Sequence, residues 1–428
     1  MASPGSVRAS TALVLGTVVN GVAIYAVAAL GTRVYGAAGF APVSVLWTFW
    51  AVAAAVLTFP LQHWVIHRVA TDGHEGGVRA ALPRVAVVAI ALAAVLGSVA
   101  WMGRERLFGD ERLVWPALVA ALTVGAAANG YLRGVLAGRR RFVAAASAIA
   151  MENLVRLLGG AIVVVAGGPV IAYGAVLAMG ALVGLLWPDA FRLRGPPLTR
   201  PGVAGFIGGL AGGTVLAQVA LTAGPAVLSA MGGGPAEVTA LFATMALFRA
   251  PYLVGLGQTA QLTAPLTSIV DQEGPRGVRS VARWTAIASL IGAMVVGGAA
   301  FFAGGTLIDL VFGPGTAPEA LIVALVAAGS TLALGTLVLT IISVARGTTG
   351  TVAWCWLGAL AAAVITVALA GGTEVWRVAL GFLVAQVVAS AAMTASHAVT
   401  WRGQREAPTS RTADRSGREA TRLPGSDR

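Results

Sequence analysis

The chain has 428 residues, of which 57% are hydrophobic and only 11% charged. Soluble domains carry about 25% charged residues. A mean hydropathy of +0.83 completes the description of a polytopic membrane protein, and it excludes a soluble domain able to hold a basic nucleic-acid groove. The net charge of +12 therefore implies no nucleic-acid partner. All 29 basic residues are Arg, which together with the abundant Ala and Gly suggests a GC-rich bacterial genome. The lone Cys355 excludes an intrachain disulfide and a cysteine metal site. His63, His67, His74 and His397 make no metal-ligand spacing, and no phosphate-binding Gly-Lys-Ser loop is present. No cofactor is expected, and the outer loops are too short for a glycosyltransferase or polymerase site, so the chain does not read as an enzyme.

Twelve apolar segments reach spanning length. They run over about 10–31, 41–66, 84–102, 114–137, 142–166, 170–188, 203–229, 237–269, 284–304, 319–344, 351–371 and 377–400. The first is longer than a signal-peptide core and reads as an uncleaved helix, despite Ala26-Val27-Ala28. The eighth is too long for one straight span: Pro251 kinks it, or its inner end leaves the membrane. The 56 glycines suit close helix packing in lipid.

Arginine asymmetry orients the chain. With the N-terminus inside, 21 arginines fall in inner segments, among them Arg68, Arg139–Arg141, Arg192, Arg279 and seven in the tail. The outer segments hold five: Arg33, Arg104, Arg106, Arg112 and Arg377. Both termini are thus expected in the cytoplasm. The Pro-rich stretch 189–202 divides the chain into an N-terminal lobe (1–188) and a C-terminal lobe (203–400), each with six helices. A weak repeat supports the division, because Pro60 and Pro251 fall deep in helices two and eight. Residues 401–428 are polar and Arg-rich, and read as a disordered cytoplasmic tail. The tail either meets anionic lipid headgroups or is merely soluble.

Charges inside the apolar segments carry the functional information. Glu152, Asn153 and Arg156 lie on the fifth segment, with Glu152 about 16 Å along the helix from Arg141, near mid-bilayer. Charge at that depth faces a partner or a wet cavity. Two readings stay open: a polar cavity within the bundle, or an i,i+4 Glu–Arg pair that locks helices together. Arg133 is about 9 Å of helix from Arg139 and is expected to snorkel to the headgroups. Arg249 is about 18 Å along the eighth helix from Glu237, with no acidic residue within a helical turn. Asn20, Gln62, Asn129 and Gln218 read mainly as interhelical hydrogen-bonding residues.

Four places in the chain, taken in order, carry a resemblance. They are Gly31-Thr32-Arg33-Val34-Tyr35-Gly36; Arg133 to Arg139 followed by a helix with Glu152 and Arg156; Phe248-Arg249-Ala250-Pro251 with Leu262-Thr263-Ala264-Pro265-Leu266; and Val311-Phe312-Gly313-Pro314-Gly315. The sequence resembles the Wzx-like polysaccharide flippases of the multidrug/oligosaccharidyl-lipid/polysaccharide (MOP) exporter superfamily. That resemblance implies an all-α, MATE-like fold of about twelve helices in two six-helix lobes. It also implies a central cavity that opens alternately to each side, and a polyprenyl-diphosphate-linked glycan as cargo for cell-surface polysaccharide biosynthesis. Arg33, Arg156 and Arg249 are then the candidates to attract the diphosphate, with Arg68 at the cytoplasmic mouth. Glu152 and Asn153 take structural or ion-pair roles. Membrane lipids, and glycosyltransferases or a polymerase of the same pathway, are the implied partners, in a bacterial cytoplasmic membrane. The chain departs from longer members in stopping at twelve helices, and any cationic site must be built from Arg because Lys is absent.

Two rival readings remain. A cation-coupled multidrug exporter of the same fold would favour a membrane-buried acid; only Glu152 qualifies, and Arg156 can neutralise it. A non-transporting scaffold for envelope enzymes would tolerate neutral replacement of the buried arginines. The topology is directly testable: reporter fusions after Gly138, Gly202 and Trp401 should give cytoplasmic signals, and fusions near Gly109 and Gly233 external ones. A periplasmic signal at Gly202 would rule out the two-lobe division.

Overall fold

The computed structural model describes residues 4–72, 75–193, 195, 204–257, 259–346 and 348–399. Within them every regular element is helical. The tail 401–428 and most of the 189–202 linker lie outside these residues.

Nine helices among the described residues are long and apolar enough to cross a membrane. One of them, Val19–Ala70, is two spans. Gly36, at φ 70°, breaks the helical path there, so the first span ends and the second begins without a loop. Two further apolar elements take their places in chain order. Val170–Leu186 is shorter than the nine, and Gly212–Thr222 with Gly224–Ala230 is a helix pair bent by 60°. The remaining spans are Gly76–Met102, Val114–Gly138, Phe142–Val165, Pro235–Leu256, Arg276–Phe312, Ala320–Ala345, Gly350–Leu369 and Glu374–Ala398. Counted in chain order these make twelve, and the ordinals below follow that count. The eighth apolar segment resolves simply. Helix is described over Pro235–Gly257, which carries Pro251, and over Thr259–Phe312, which is kinked at Gly274 before it becomes the ninth span.

The spans pack as two groups. The first packs on the fifth, and the second and third on the fourth; the ninth packs on the tenth, the eleventh on the seventh and twelfth, and the tenth on the eighth and twelfth. The groups meet mainly where the first two spans lie against the seventh and eighth. Among the described residues, these polar links cross that junction from mid-span towards the end opposite the Arg139–Arg141 cluster. Tyr25 Oη donates to the Ala246 carbonyl, and the Ser44 and Thr239 hydroxyls lie 3.4 Å apart. Ser229 Oγ donates to the Arg106 and Leu107 carbonyls at 2.8 and 3.1 Å. Arg33 donates to the carbonyls of Leu310 and Val311.

Two local features shape the N-terminal lobe. In the second span, Ala54–Thr58 widens into a π-helical turn, a distortion often found at functional sites. Thr58 Oγ1 bonds the Ala126 carbonyl of the fourth span at 2.8 Å. Beside it Gly130 lets two backbones touch: a Cβ there would lie 2.6 Å from the Thr58 carbonyl oxygen and 2.8 Å from its Cα. Backbone cannot swing aside as a side chain can. Gly130→Val should therefore push spans two and four apart and cost about 1–3 kcal/mol, seen as a lower Tm in detergent. Gly21→Ala, where a Cβ meets nothing within 4 Å, should leave Tm unchanged. Equal Tm for the two variants would refute the close approach.

Candidate functional site

The buried charge of the N-terminal lobe is collected at Glu152. One carboxylate oxygen, Oε1, takes Arg156 Nη2 at 2.8 Å, and Oε2 takes Arg133 Nη2. The i,i+4 spacing places Arg156 one turn beyond Glu152 on the fifth span, so the pair closes within one helix. Arg133 reaches Glu152 from the fourth span. The expectation that Arg133 snorkels to the headgroups is thus corrected. A buried carboxylate beside it offers a charge-assisted bond that outweighs a reach to the interface.

Arg156 is buried, at 2% exposure, and each of its three guanidinium nitrogens has a partner in that lobe. Nη1 donates to Asn153 Oδ1 at 2.8 Å, and Nε to the Leu177 carbonyl at 2.9 Å. Its guanidinium lies 4.7 Å from the Trp50 ring, a cation–π contact that is strong when desolvated. Asn153 in turn donates to Asn20 Oδ1 at 2.6 Å, tying the fifth span to the first. Gly180 completes the fit, because a Cβ there would sit 2.5 Å from the guanidinium carbon. Around Gly180 the sixth span tightens into a 3₁₀ stretch, Gly180–Leu186. The i,i+4 pair at Glu152 and Arg156 is therefore present, and it forms part of a packed polar hub joining five spans.

Arg249 has a different setting. It lines a cleft between the lobes, with Trp47, Thr48 and Ala51 from the second span, Leu221, Thr222 and Pro225 from the seventh, and Phe242, Met245 and Ala246 from its own. Nη1 donates to the Leu221 carbonyl at 3.2 Å. Nε is buried and has no hydrogen-bond partner among the described residues. No carboxylate among the described residues pairs with Arg249. The hydroxyls nearby are already engaged, Tyr25 with Ala246 and Tyr252 with Gln218 Nε2 at 3.2 Å. The two arginine sites lie on either side of the second span and are joined by a T-shaped Trp47–Trp50 pair, 5.9 Å between centroids. Trp47 faces Arg249 and Trp50 faces Arg156.

The other sequence candidates lie elsewhere, and the lining of this cleft includes none of Arg33, Arg68 and Arg156. Arg33 is about 12 Å along the first span from Tyr25. Its guanidinium caps carbonyls in the last turn of the ninth span, where the helix dipole is negative. Arg68 stands in the last turns of the second span, about 30 Å of helix beyond Thr48. Near that end Arg139 forks onto Glu75, Nε to Oε1 at 2.5 Å and Nη2 to Oε2 at 2.9 Å, and donates to the carbonyls of Asp189 and Arg192. The hydrogen bond to Glu75 raises the Arg139 pKa above its ordinary value. Sequence reasoning missed Tyr25, Trp50 and the Leu221 carbonyl. Of these only the carbonyl had a signal, a proline four residues after Leu221.

Similarity to solved structures places the architecture. An inward-facing multidrug-resistance transporter of the MATE family and MOP superfamily aligns over 92% of this chain and 96% of its own, with TM-score 0.68 and 12% identity. The lipid II flippase MurJ in an inward closed conformation aligns over 91% and 87%, with TM-score 0.62 and 13% identity. A MOP transporter from Pyrococcus furiosus, described as having a binding pocket of reversed polarity, aligns over 94% and 95%, with TM-score 0.57 and 12% identity. The chain has the fold of the MOP superfamily transporters. The sequence matches no protein-family model and no curated protein. The expected all-α, two-lobed, MATE-like fold is thus present, in a multi-pass membrane protein whose structural neighbours are transporters and flippases.

Glu152 is the test of the hub. Glu152→Gln leaves two guanidinium groups in the lobe with no anion, which should cost about 3–5 kcal/mol and lower Tm in detergent. The pH profile of transport should keep its shape. A pH dependence that disappears in the variant while Tm holds would make Glu152 a proton carrier instead.

Proposed function

We propose that this protein is a flippase that carries a polyprenyl-diphosphate-linked oligosaccharide across a bacterial cytoplasmic membrane, with both termini in the cytoplasm. The observation that carries the reading is Arg249, a guanidinium in an interlobe cleft, held by one neutral carbonyl and paired with no carboxylate among the described residues. An unpaired cation at membrane depth costs several kcal/mol unless an anion or water completes it. A diphosphate supplies adjacent anionic oxygens that a guanidinium takes bidentately. Repeat-built transporters bind cargo where their halves meet near the midplane, and the cleft lies at that junction.

The fold alone does not choose between glycolipid and drug; the charge supports the glycolipid reading. A cation exporter needs a buried acid free to bind a cation, and Glu152 is clamped by two arginines. The surplus positive charge around spans two, four, five and eight favours an anionic headgroup. In this reading Arg249 binds the diphosphate, while Arg156, Glu152 and Asn153 hold the N-terminal lobe in shape. Arg33 belongs to the contact that closes the lobes on the outer side, and Arg68 meets cargo at the inner mouth.

Arg249→Ala should abolish movement of lipid-linked oligosaccharide across reconstituted vesicles while expression and insertion persist. Arg249→Lys should restore only part of it, because the fork is lost. Full translocation by the alanine variant, with protein level controlled, would falsify the diphosphate site and favour a scaffold role.

A further inference from the structure

The seventh span explains how Arg249 is aimed. Within a helix the Leu221 carbonyl would accept from the amide of residue 225, four positions on. Residue 225 is proline and has no amide hydrogen. The span breaks there, with helix to Thr222, a new helix from Gly224, and 60° between them. The carbonyl on either side of the break has different fortunes. Val219 still accepts from Ala223 at 2.9 Å, and Ala223 from Val227 at 2.9 Å. Leu221 is buried, at 1% exposure, and its carbonyl takes Arg249 Nη1 at 3.2 Å. A buried carbonyl with no donor would be costly. The arginine and the broken helix therefore satisfy each other across a 28-residue separation.

We propose that Pro225 is a positioning residue for Arg249. By withholding the amide that would close the Leu221 carbonyl within the seventh span, it makes that carbonyl the fixed acceptor that aims the guanidinium into the cleft. The alternatives around the group are few. Tyr25 donates its hydroxyl to Ala246, Tyr252 accepts from Gln218, and Arg249 Nε has no partner among the described residues. One N–H is thus pinned, Nε is buried, and Nη2 is left for a ligand. A neutral carbonyl is well suited to this, because it fixes direction without cancelling charge. A carboxylate in its place would do both. The role in cargo binding rests on the diphosphate reading, but the contact itself is testable without ligand.

The experiment uses the full chain in detergent as four proteins: wild type, Pro225→Ala, Arg249→Ala and the double variant. Thermal unfolding without ligand comes first. Arg249→Ala strands the Leu221 carbonyl, and adding Pro225→Ala returns an amide that can close it. The double variant should therefore melt higher than Arg249→Ala alone. In the wild-type background the same proline change takes the acceptor from Arg249 and should not raise Tm. A proline that merely bends the span would shift Tm by the same amount and sign in both backgrounds, and that result overturns the proposal. The second measurement titrates inorganic pyrophosphate by tryptophan fluorescence, with Trp47 in the cleft wall. Pro225→Ala should weaken binding about tenfold, the order expected for one lost fixed hydrogen bond. Unchanged or tighter binding in that variant also overturns it. Thermal coupling without any pyrophosphate response in the wild type would sustain the positioning contact and defeat the diphosphate reading.

Discussion

Glu152 is the anion on which the N-terminal lobe depends. Hydrocarbon offers no water to share the cost of a charge, so each buried guanidinium must find an acceptor inside the protein. One carboxylate serves two arginines from two spans, Arg133 and Arg156. The remaining Arg156 donors go to Asn153 and the Leu177 carbonyl, and its face to Trp50. Asn153 passes the connection to Asn20. A single ionised group thereby fixes the relative positions of the first, second, fourth, fifth and sixth spans. Removing it would leave positive charge in a site with no other anion, whereas removing one apolar contact would leave a small cavity.

The polar hub also explains the irregular helices around it. The sixth span needs Gly180 under the guanidinium, and there it tightens to 3₁₀. The second span widens to a π-turn just past Trp50, and Gly130 lets the fourth span approach that turn. Ridges of large side chains could not come this close, so small residues and distorted helix occur together. The C-terminal lobe shows a different solution. There the seventh span breaks, and the freed carbonyl is answered by an arginine of the neighbouring helix.

Much of the fold was legible because the bilayer demands long apolar runs and the sequence supplies them in order. Segment ends were less legible. The second segment stops near residue 66 by hydropathy, yet its helix continues through Arg68 to Asp72. Helices do not end where the membrane does, and hydropathy reports only the membrane. The break at residue 223 was missed because the composition there is uniformly apolar, and Pro225 was the signal for it. At the site, the Glu152–Arg156 spacing was readable because i,i+4 neighbours meet on any helix. Arg133 was misread because its partner lies 19 residues away on another span, where distance along one helix says nothing. Arg249 was readable as a cation without a local acid, but its carbonyl partner was missed, since its one signal is indirect: Pro225, four residues on, lacks the amide that would close it.

The contrast between Arg156 and Arg249 sets what each can do. An arginine salt-bridged to a carboxylate and stacked on an indole has its charge cancelled locally, and a passing anion gains little by approaching it. An arginine held by a carbonyl keeps its full charge. An anionic ligand can then trade solvent for a charge-assisted bond, roughly twice as strong as a neutral one. A carrier must also release its cargo. A site with several converging cations would hold a diphosphate too tightly to turn over, while one guanidinium steered by a dipole binds with moderate strength. The same reasoning assigns the lobe contacts their place. The links at Arg33, Ser229 and Ser44 use carbonyls and hydroxyls, which exchange for water at modest cost. Lobes joined by neutral acceptors can part, whereas lobes joined by buried ion pairs would strand charge each time they opened. Among the described residues, the ion pairs with both partners buried lie within one lobe, and the links seen at the junction between the lobes are bonds that water can replace.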